Sequence, residues 1–347
     1  MKLSQFDYML PSELIAQNPA EPRDRSRLLT LDKGTWKIQD LHFYDIYNLL
    51  WENDVLVLNE TKVIKARLTW SIENSLSWLT QVEIFLHKKK SENTWDCLVH
   101  PGKKLKIGTE ITFKKNGEVI MRASIKEISH DGRIVEFDMH WEKFLDLVEQ
   151  IGETPLPPYI KDKSSPSERY QTVYSRESWS VAAPTAGLHF TQELLEKLQK
   201  KWVKIEKVLL HVWLGTFKWV EVDDITQHQM HSEFCTISQD TANRLNCYKK
   251  EGKRIVAVGT TSVRTLESFA ISKWRLVHGE KETNIFIYPG YEWKFVDGII
   301  TNFHLPKSTL LMLVSSFSGQ ENIKKAYLHG VDQKYRFFSF GDAMFLQ

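Results

Sequence analysis

The chain has 347 residues, a length that suggests roughly two domains, and its 42% hydrophobic content with 12 Trp and 18 Phe provides ample material for packed cores. Its 46 Lys and Arg residues against 44 Asp and Glu residues leave a net charge of +2. This balance excludes a protein that attracts nucleic acid through its overall field. Any such partner would have to be held by a local basic patch.

The cysteines and the apolar segments indicate the compartment. Cys97, Cys235 and Cys247 are odd in number and form no CxxC motif, which is typical of reduced thiols in a cytosolic protein. The first ten residues lack a charged region followed by an apolar run, so no signal peptide is predicted. No segment approaches the roughly 18 uninterrupted apolar residues of a membrane-spanning helix. We therefore expect a soluble, cytoplasmic protein.

Residues 6–32 begin with a predicted short helix after Pro11 and continue as a loop interrupted by further prolines. Arg23, Arg25 and Arg27 then alternate into an apolar run. Because alternate residues of an extended segment point to one face, the three guanidinium groups could line up there. A solvated edge of a sheet explains the same pattern equally well.

Residues 54–68 contain a buried-type strand, Val55 to Leu58, followed by polar residues. Open α/β sheets place ligand-binding groups at the carboxyl ends of such strands. Lys62, Lys65 and Arg67 follow closely and could face phosphate groups. A cluster of three charges is, however, more often a solvated face.

Residues 69–150 differ in character from the segments around them. Five short β-like runs lie between Val82 and Met139, and the Asn116-Gly117 and Asp131-Gly132 pairs between them are strong hairpin signals. Closely spaced strands with such turns predict a small barrel or sandwich. We therefore predict an α/β fold in which residues 1–68 and 151–347 form a discontinuous catalytic domain, with an inserted all-β, barrel-like domain at 69–150.

The α/β pattern resumes with a run of small residues from Ala182 to His189. Gly187 within it would let a ligand or a neighbouring backbone approach closely. Thr191 is a good N-cap for a helix predicted over 192–202, so His189 should lie just before a helix N-terminus. A structural histidine and a functional one are equally compatible with this position.

Residues 254–269 form a second strand, corner and helix. Ile255 to Val258 read as a buried strand, the next four residues as a turn, and Val263 to Phe269 as a helix. Three hydroxyl groups and several free N–H groups at the turn could receive a carboxylate or phosphate, with Arg264 close enough to pair with it. The alternative is an ordinary helix capped by Ser or Thr.

A third such unit covers residues 297–317. It reads as a strand from Gly298 to Thr301, a polar corner, and a helix announced by Pro306. Free N–H groups at the corner favour anions, and five reactive side chains surround it. A capped helix packed on a sheet remains the simpler interpretation. The five side chains are those of Asn302, His304, Lys307, Ser308 and Thr309.

Several known nucleotide and metal motifs are missing. Lys307-Ser308-Thr309 resembles the end of a Walker A loop, but Pro306 and Thr301 occupy the two positions where that loop requires glycine. No GxGxxG or GxSxG motif is present, and His228 and His231 are not part of an HExxH motif, so we do not expect a metal site. These residues favour a small-molecule-using enzyme without naming its reaction.

Six segments together resemble the S-adenosylmethionine:tRNA ribosyltransferase-isomerase family of queuosine biosynthesis. The match extends from the first predicted helix to the last residues and skips mainly the β insertion. This sequence departs from the family at Trp213, where glycine is usual, and the indole could narrow the space near His211. The segments are FDYMLPSELIAQNPAEPRDRSRLL, DVLVLNETKVIKARL, SVAAPTAGLHFT, RIVAVGTTSVRTLES, DGIITNFHLPKSTLLMLVSSF and YRFFSFGDAMFL.

The resemblance implies an enzyme that transfers and isomerises the ribosyl part of S-adenosylmethionine onto 7-aminomethyl-7-deazaguanine at the tRNA wobble position. The products would be epoxyqueuosine in tRNA, adenine and methionine. It also implies a monomer without metal, a tRNA with a GUN-type anticodon, and S-adenosylmethionine as a substrate rather than a permanently bound cofactor. A tRNA-binding protein with altered catalysis and a transferase acting on a free nucleoside are the alternatives.

The implied chemistry suggests roles for the polar corners. The sulfonium acidifies the ribose C5′ protons, so a general base must remove one, and adenine needs a proton as it leaves. His189 or His304 would supply these roles, because histidine titrates near neutrality. Asp297 and Asn302 would bind ribose hydroxyls or the attacking amine.

The expected site residues fall into three groups. The catalytic candidates are His189, His304, Asp297 and Asn302. The substrate-binding candidates are Thr185, Gly187, Gly259, Thr260, Thr261, Ser262, Arg264, Tyr288, Ser308 and Thr309. The tRNA-binding candidates are Arg27, Lys62, Arg67 and Lys307.

Overall fold

The computed structural model describes residues 1–73, 79–115, 118–130, 132–157, 159–162, 167–213 and 220–347. The turn residues Asn116, Gly117 and Asp131 lie outside this part of the chain. The protein forms two compact units. The first, the α/β unit, contains Met1–Lys62, Pro157–Glu177 and Ala183–Gln347, and the second, the β unit, contains Val63–Leu156 and Ser178–Ala182.

The regular elements are numbered along the chain. The strands are β1 Arg27–Leu31, β2 Ile38–His42, β3 Asp54–Asn59, β4 Thr61–Val63, β5 Arg67–Glu73, β6 Leu79–Lys89, β7 Thr94–His100, β8 Glu110–Lys115, β9 Glu118–Ile128, β10 Arg133–Phe137, β11 Glu177–Ser180, β12 Lys204–Leu210, β13 Glu233–Ile237, β14 Arg254–Val258, β15 Ala270–Ser272, β16 Arg275–Leu276, β17 Gly279–Thr283, β18 Gly298–Asn302 and β19 Ala343–Leu346. The helices are α1 Ile46–Leu49, α2 Trp141–Ile151, α3 Gln192–Lys200, α4 Gln239–Lys250, α5 Gly259–Phe269, α6 Thr309–Ser318 and α7 Gln320–Asp332.

A mixed sheet forms the centre of the α/β unit. Within the described residues it has nine strands in the order β17-β13-β12-β3-β14-β18-β19-β1-β2. The neighbouring strands β12, β3, β14 and β18 are parallel, with Val55 opposite Ile255 and Val256 opposite Gly298. Every residue of β3 and β18 is buried, as expected for strands covered on both faces. The parallel register brings the carboxyl ends of these four strands to one edge, here called the carboxyl edge.

The core beneath this edge is closed by helix α3. Leu194, Leu195 and Leu198 lie on one side of the helix and pack in the cluster that also contains Leu56 and Ile300 of the sheet. The Thr191 side chain accepts a hydrogen bond from the Leu194 amide at 3.1 Å, so the predicted N-cap is confirmed. This cap fixes the chain immediately after His189.

The β unit is an antiparallel sheet with six strands among its described residues, in the order β5-β6-β7-β10-β9-β8. Trp70 of β5 and Phe113 of β8 have ring centroids 5.2 Å apart, so the two outer strands approach each other as in a barrel. Phe144 of α2 packs against Trp95 and Phe137 in the centre. The predicted α/β fold with an all-β, barrel-like insertion is confirmed.

In the part of the chain that the structure describes, no helix combines the length and the apolar character needed to cross a membrane.

Candidate active site

A buried hydrogen-bond network lies at the carboxyl edge, where β18 ends at Asn302. The Asn302 Nδ2 atom lies 3.2 Å from His189 Nε2 and donates to the Phe338 carbonyl at 3.1 Å. The Thr185 hydroxyl donates to Asn302 Oδ1 at 3.3 Å. The structure therefore brings together three predicted site residues that are separated by up to 117 positions in sequence.

The network fixes the tautomer of His189. The Phe338 carbonyl can only accept, so it must face the amino group of Asn302, and the same amino group then donates to His189 Nε2. With Nε2 accepting, the ring proton of the neutral imidazole lies on Nδ1. Ser26 Oγ, 2.7 Å from Nδ1, is its acceptor.

Burial keeps His189 neutral. The side chain stacks on Phe43 with 5.0 Å between ring centroids, and the residue is only 4% exposed. Burial, followed by the charges of Arg336 and Arg23, lowers the pKa of His189 to about 3. The ring is thus uncharged at pH 7, with a lone pair on Nε2 and a proton on Nδ1.

Phe338 supplies the carbonyl that orients Asn302 and has an unusual backbone conformation. Its φ is 73°, in the left-handed region that bulky side chains rarely occupy. Its ring packs against Tyr159 with 4.3 Å between centroids. Strained backbone of this kind concentrates at functional sites.

The first turn of helix α5 adjoins this network. Gly259 has a φ of 85°, which lets the chain turn directly from β14 into the helix. A Cβ at Gly259 would lie 3.5 Å from Thr261 Oγ1 and 3.7 Å from Ala186 Cβ, so the corner faces the Thr185–His189 segment. Among the described residues no side chain caps α5, so the first backbone N–H groups of the helix could bind an anion.

The hydroxyl groups of this turn differ in their bonding. The Ser262 hydroxyl donates to the Val258 carbonyl at 2.8 Å. Thr260 and Thr261 are 8% and 9% exposed, and Thr261 Oγ1 has no hydrogen-bond partner among the described residues. A buried hydroxyl without a partner is uncommon and fits a group that awaits a ligand.

Gly187 permits close packing beside His189. A Cβ at this position would collide with the Tyr174 hydroxyl and lie 2.9 Å from Thr172 Cγ2. The Tyr174 hydroxyl is itself buried and has no hydrogen-bond partner in the described part of the protein. Burial raises the pKa of Tyr174, so this hydroxyl remains a neutral donor.

Arg264, expected to bind a substrate carboxylate, is occupied by a protein carboxylate instead. Its guanidinium forms an ion pair with Glu233, and the two side chains are 5% and 0% exposed. Glu233 Oε1 also accepts from the Trp213 amide at 3.3 Å. The charge of Arg264 is therefore neutralised within the protein, and the structure gives no support to the expected role.

His304 has different hydrogen-bond partners from His189. Its Nε2 is 3.0 Å from Thr301 Oγ1, and its carbonyl accepts from the Tyr8 hydroxyl at 2.5 Å. Burial lowers the pKa of His304 to about 3. Among the hydrogen bonds and ring contacts of the described residues, none joins His304 to His189.

Asp297 lies at the opposite end of β18 from Asn302. Both of its carboxylate oxygens accept from Lys249, at 2.7 and 2.6 Å, and one accepts from the Ile255 amide at 2.8 Å. At about 3.3 Å per residue, the five-residue strand separates Asp297 from the carboxyl edge by about 17 Å. The structure does not bring it to the network.

The remaining substrate candidates have local partners. The Ser308 hydroxyl donates to the Leu305 carbonyl and accepts from an amide of α6, so it is the helix N-cap, and Thr309 is the first helical residue. The Tyr288 ring packs 4.9 Å from the ring of Phe286. None of these contacts joins the network around His189.

The tRNA candidates have separate neighbours. Arg27 stacks over the ring of Tyr335 at 3.7 Å, Lys62 is half-buried in β4, and Lys307 lies 3.0 Å from Asp7. Arg67 belongs to the β unit, where its Nε is 3.9 Å from Glu83.

The prediction that Arg23, Arg25 and Arg27 could lie on one face of an extended segment is wrong. Arg23–Arg25 form a 3₁₀ turn, and only Arg27 belongs to the extended strand β1. The three guanidinium groups therefore do not share one face of a strand.

Sequence reasoning missed Ser26 and Phe338, which complete the network. Ser26 lies between Arg25 and Arg27. A small polar side chain directly before a buried strand is the pattern that could have indicated it. Phe338 acts through its carbonyl, which no side-chain pattern reveals.

In the described ranges, no group of three or more His, Cys, Asp or Glu side chains is arranged to hold a metal ion. His231 Nε2 is 3.7 Å from Glu233 Oε1, and His228 packs against Phe286.

Comparison with known proteins extends over the whole chain. A family model described as "Queuosine biosynthesis protein" matches residues 3–346. The crystal structure of the S-adenosylmethionine tRNA ribosyltransferase of Thermotoga maritima is 39% identical in sequence, with a TM-score of 0.56. That match covers 99% of this chain and 100% of the Thermotoga chain.

Proposed function

The chain belongs to the queuosine biosynthesis protein family, and on this premise we propose that it is an S-adenosylmethionine:tRNA ribosyltransferase-isomerase. It transfers and isomerises the ribosyl group of S-adenosylmethionine onto 7-aminomethyl-7-deazaguanine at the wobble position of a tRNA with a GUN-type anticodon. The products are epoxyqueuosine in tRNA, adenine and methionine. The match over residues 3–346 is the observation that carries the proposal.

S-adenosylmethionine is consumed in this reaction, so it is a substrate and not a resident cofactor. We further propose that the protein acts as a monomer in the cytoplasm. Three cysteines without a CxxC motif support a reducing compartment.

We place the reacting ribose at the carboxyl edge, beside His189 and Asn302. The His189 ring is neutral at pH 7, so it can accept a proton from the ribose. Protonation of the departing adenine would require the cationic imidazolium form. Of the two histidine roles we therefore propose the general base. Nε2 is the accepting atom once the Asn302 amino group releases it, because Nδ1 already holds the proton donated to Ser26. Asn302 and Thr185 would turn their polar groups to the ribose hydroxyls or the incoming amine.

The first turn of α5 is proposed to hold the methionine carboxylate. Its uncapped N–H groups favour a negative charge, and the Thr261 hydroxyl is a donor without a partner among the described residues. Gly259 faces the segment that carries His189, so a molecule held there would extend toward the imidazole. Arg264 is not assigned to the carboxylate, because Glu233 already neutralises it.

The test is incubation of the protein with S-adenosylmethionine and tRNA bearing 7-aminomethyl-7-deazaguanine. We expect adenine and methionine to appear together, with a matching mass increase of the tRNA. The matched control is the same tRNA with guanine at the wobble position, which should yield neither product.

Two outcomes would contradict the proposal. Binding of tRNA without consumption of S-adenosylmethionine would favour a catalytically altered tRNA-binding protein, with Trp213 as the first residue to replace by glycine. Release of adenine with the free modified nucleoside, and none with tRNA, would favour the nucleoside transferase.

A further inference from the structure

We propose that Arg23, Arg169 and Arg336, here called the arginine cluster, bind a backbone phosphate of the tRNA beside His189. The inference rests on the proposed function, because it takes tRNA as the partner. It assigns a phosphate site to residues other than the four cations that the sequence suggested.

The arginine cluster converges on one short segment of the chain. Arg336 Nη1 donates to the Asn18 carbonyl at 3.2 Å, and Arg169 Nη2 donates to the Ala20 carbonyl at 2.7 Å. Arg23 is the last residue of the same segment. Two guanidinium groups from distant parts of the sequence are thus fixed against the stretch that leads to the third.

Arg23 binds the segment that carries Arg169. Its Nη1 donates to the Gln171 carbonyl at 2.6 Å and its Nη2 to the Glu168 carbonyl at 3.2 Å, on either side of Arg169. Backbone carbonyls orient these side chains but do not neutralise them. These hydrogen bonds therefore fix the position of the guanidinium groups and leave their charge unchanged.

The cluster has fewer close carboxylates than cations. Arg169 pairs with Glu21, whose side chain is 75% exposed, and Arg336 lies 3.3 Å from Asp342. Within the described residues, Arg23 has no carboxylate oxygen within 4.0 Å. Burial and then the neighbouring Arg169 lower the pKa of Arg23, and the charge of Glu21 opposes them only in part. An anion would relieve this repulsion.

The cluster borders the proposed active site. The turns Arg23–Arg25 and Ser167–Tyr170 both pack against the turn Thr185–His189. Beside them lies the buried Tyr174 hydroxyl, without a hydrogen-bond partner in the described chain and adjacent to Gly187. A hydroxyl donor and guanidinium groups form a donor set suited to phosphate oxygens.

A phosphodiester fits this place better than the methionine carboxylate. Every nucleotide carries its own phosphate, so a base that reaches His189 brings one close to the neighbouring arginines. S-adenosylmethionine has a single carboxylate, for which the first turn of α5 offers N–H donors.

The experiment measures tRNA affinity as a function of salt for Arg23→Gln, Arg169→Gln and Arg336→Gln. Each contact to a phosphate contributes roughly 0.7–0.9 to the slope of log K against log salt concentration. We expect each variant to bind the modified tRNA about tenfold more weakly at low salt and to lose part of the share of the slope that this one phosphate contributes. Affinity for S-adenosylmethionine should be unchanged.

Two further variants make the result decisive. Arg244→Gln is the matched control, because Arg244 pairs with Glu206 on a half-exposed surface of α4, and it should leave affinity and slope unchanged. Arg23→Lys keeps the charge and should retain the slope. Equal loss of slope in Arg23→Lys and Arg23→Gln would show that Arg23 only shapes the chain, and would overturn the proposal.

Other outcomes also decide the question. Unchanged tRNA slopes in all three glutamine variants, or a loss of S-adenosylmethionine affinity alone, would overturn the phosphate assignment. Turnover by the wild-type protein, measured in parallel, tests the proposed function separately. If the wild-type protein turns over and the glutamine variants bind tRNA normally, only the phosphate role of the arginine cluster is refuted.

Discussion

At the scale of single residues, the neutral imidazole of His189 is the group on which the proposed chemistry depends most. His189→Ala should lower the rate of adenine release about 10²–10⁴-fold, the usual contribution of a positioned base. The measurement is single-turnover release of adenine with modified tRNA and saturating S-adenosylmethionine.

His304→Ala is the matched control for that prediction. His304 is equally buried and has an equally low pKa, but it bonds to Thr301 and Tyr8 rather than to Asn302. We expect a lower melting temperature with a rate per folded molecule close to that of wild type. A near-normal rate for His189→Ala, or equal losses in both variants, would remove the reason for choosing His189.

Residue identity predicted part of this site and missed its connections. A run of small residues before a helix N-terminus indicates Thr185 and His189, a corner after a strand indicates Asn302, and the fold brings the three together. The pairing of Arg264 with Glu233 could not be predicted, because Glu233 belongs to strand β13 and lies 31 residues earlier in the sequence. No local pattern links two residues that meet only through sheet topology.

At the scale of elements, the turn Thr185–His189 depends on the absence of a side chain at Gly187. Gly187→Ala should push the Tyr174 ring from its position and destabilise the α/β unit by about 1–3 kcal/mol, the usual range for overpacking. Urea unfolding followed by tyrosine and tryptophan fluorescence measures this change.

Gly34→Ala is the control for that substitution. In the described part of the chain, a Cβ at Gly34 would meet only Asp32 Oδ1, at the ordinary contact distance of 3.5 Å. We expect its free energy of unfolding to remain within about 0.5 kcal/mol of wild type, as for most surface changes. Equal effects of the two substitutions would contradict the packing argument.

Strand geometry explains which element-level predictions held. The sequence predicts the strand and the helix at residues 254–269, but α5 begins at Gly259 directly after β14, so the predicted turn residues Gly259 to Ser262 are already helical. Asp297 and Asn302 were assigned to one ligand although they flank a single strand. A strand of that length places its two ends at opposite edges of the sheet, so the predicted strand alone already argued against one ligand shared by Asp297 and Asn302.

At the scale of the whole molecule, three buried histidines make stability sensitive to acid. Burial lowers the pKa of His189 and His304 to about 3 and that of His211 to about 4, all below the ordinary value of 6.5. The unfolded chain binds protons on these rings between pH 6.5 and those lower values, whereas the folded protein does not. The stabilisation is therefore complete above pH 6.5 and is lost progressively on acidification.

We expect the free energy of unfolding of the α/β unit to fall from pH 7 to pH 5, with a limiting slope of about 1.4 kcal/mol per pH unit for each histidine. Urea titrations at several pH values measure it. His304→Gln should reduce the slope by about one histidine's share. A stability that is flat between pH 7 and pH 5 would contradict the buried, neutral assignment.

The positions of Arg23 and Arg336 beside His189 affect when S-adenosylmethionine, the ribosyl donor, loses its C5′ proton. Both cations oppose protonation of the His189 ring. A tRNA phosphate beside them would screen their charge, so the ring would accept a proton more readily once tRNA is bound. S-adenosylmethionine bound alone should then keep its C5′ hydrogens, which would protect a reactive metabolite from wasteful breakdown between encounters with tRNA. In heavy water, deuterium should enter C5′ only after modified tRNA is added, and mass spectrometry of recovered S-adenosylmethionine checks this. Exchange in the absence of tRNA would show that the donor is activated without its acceptor.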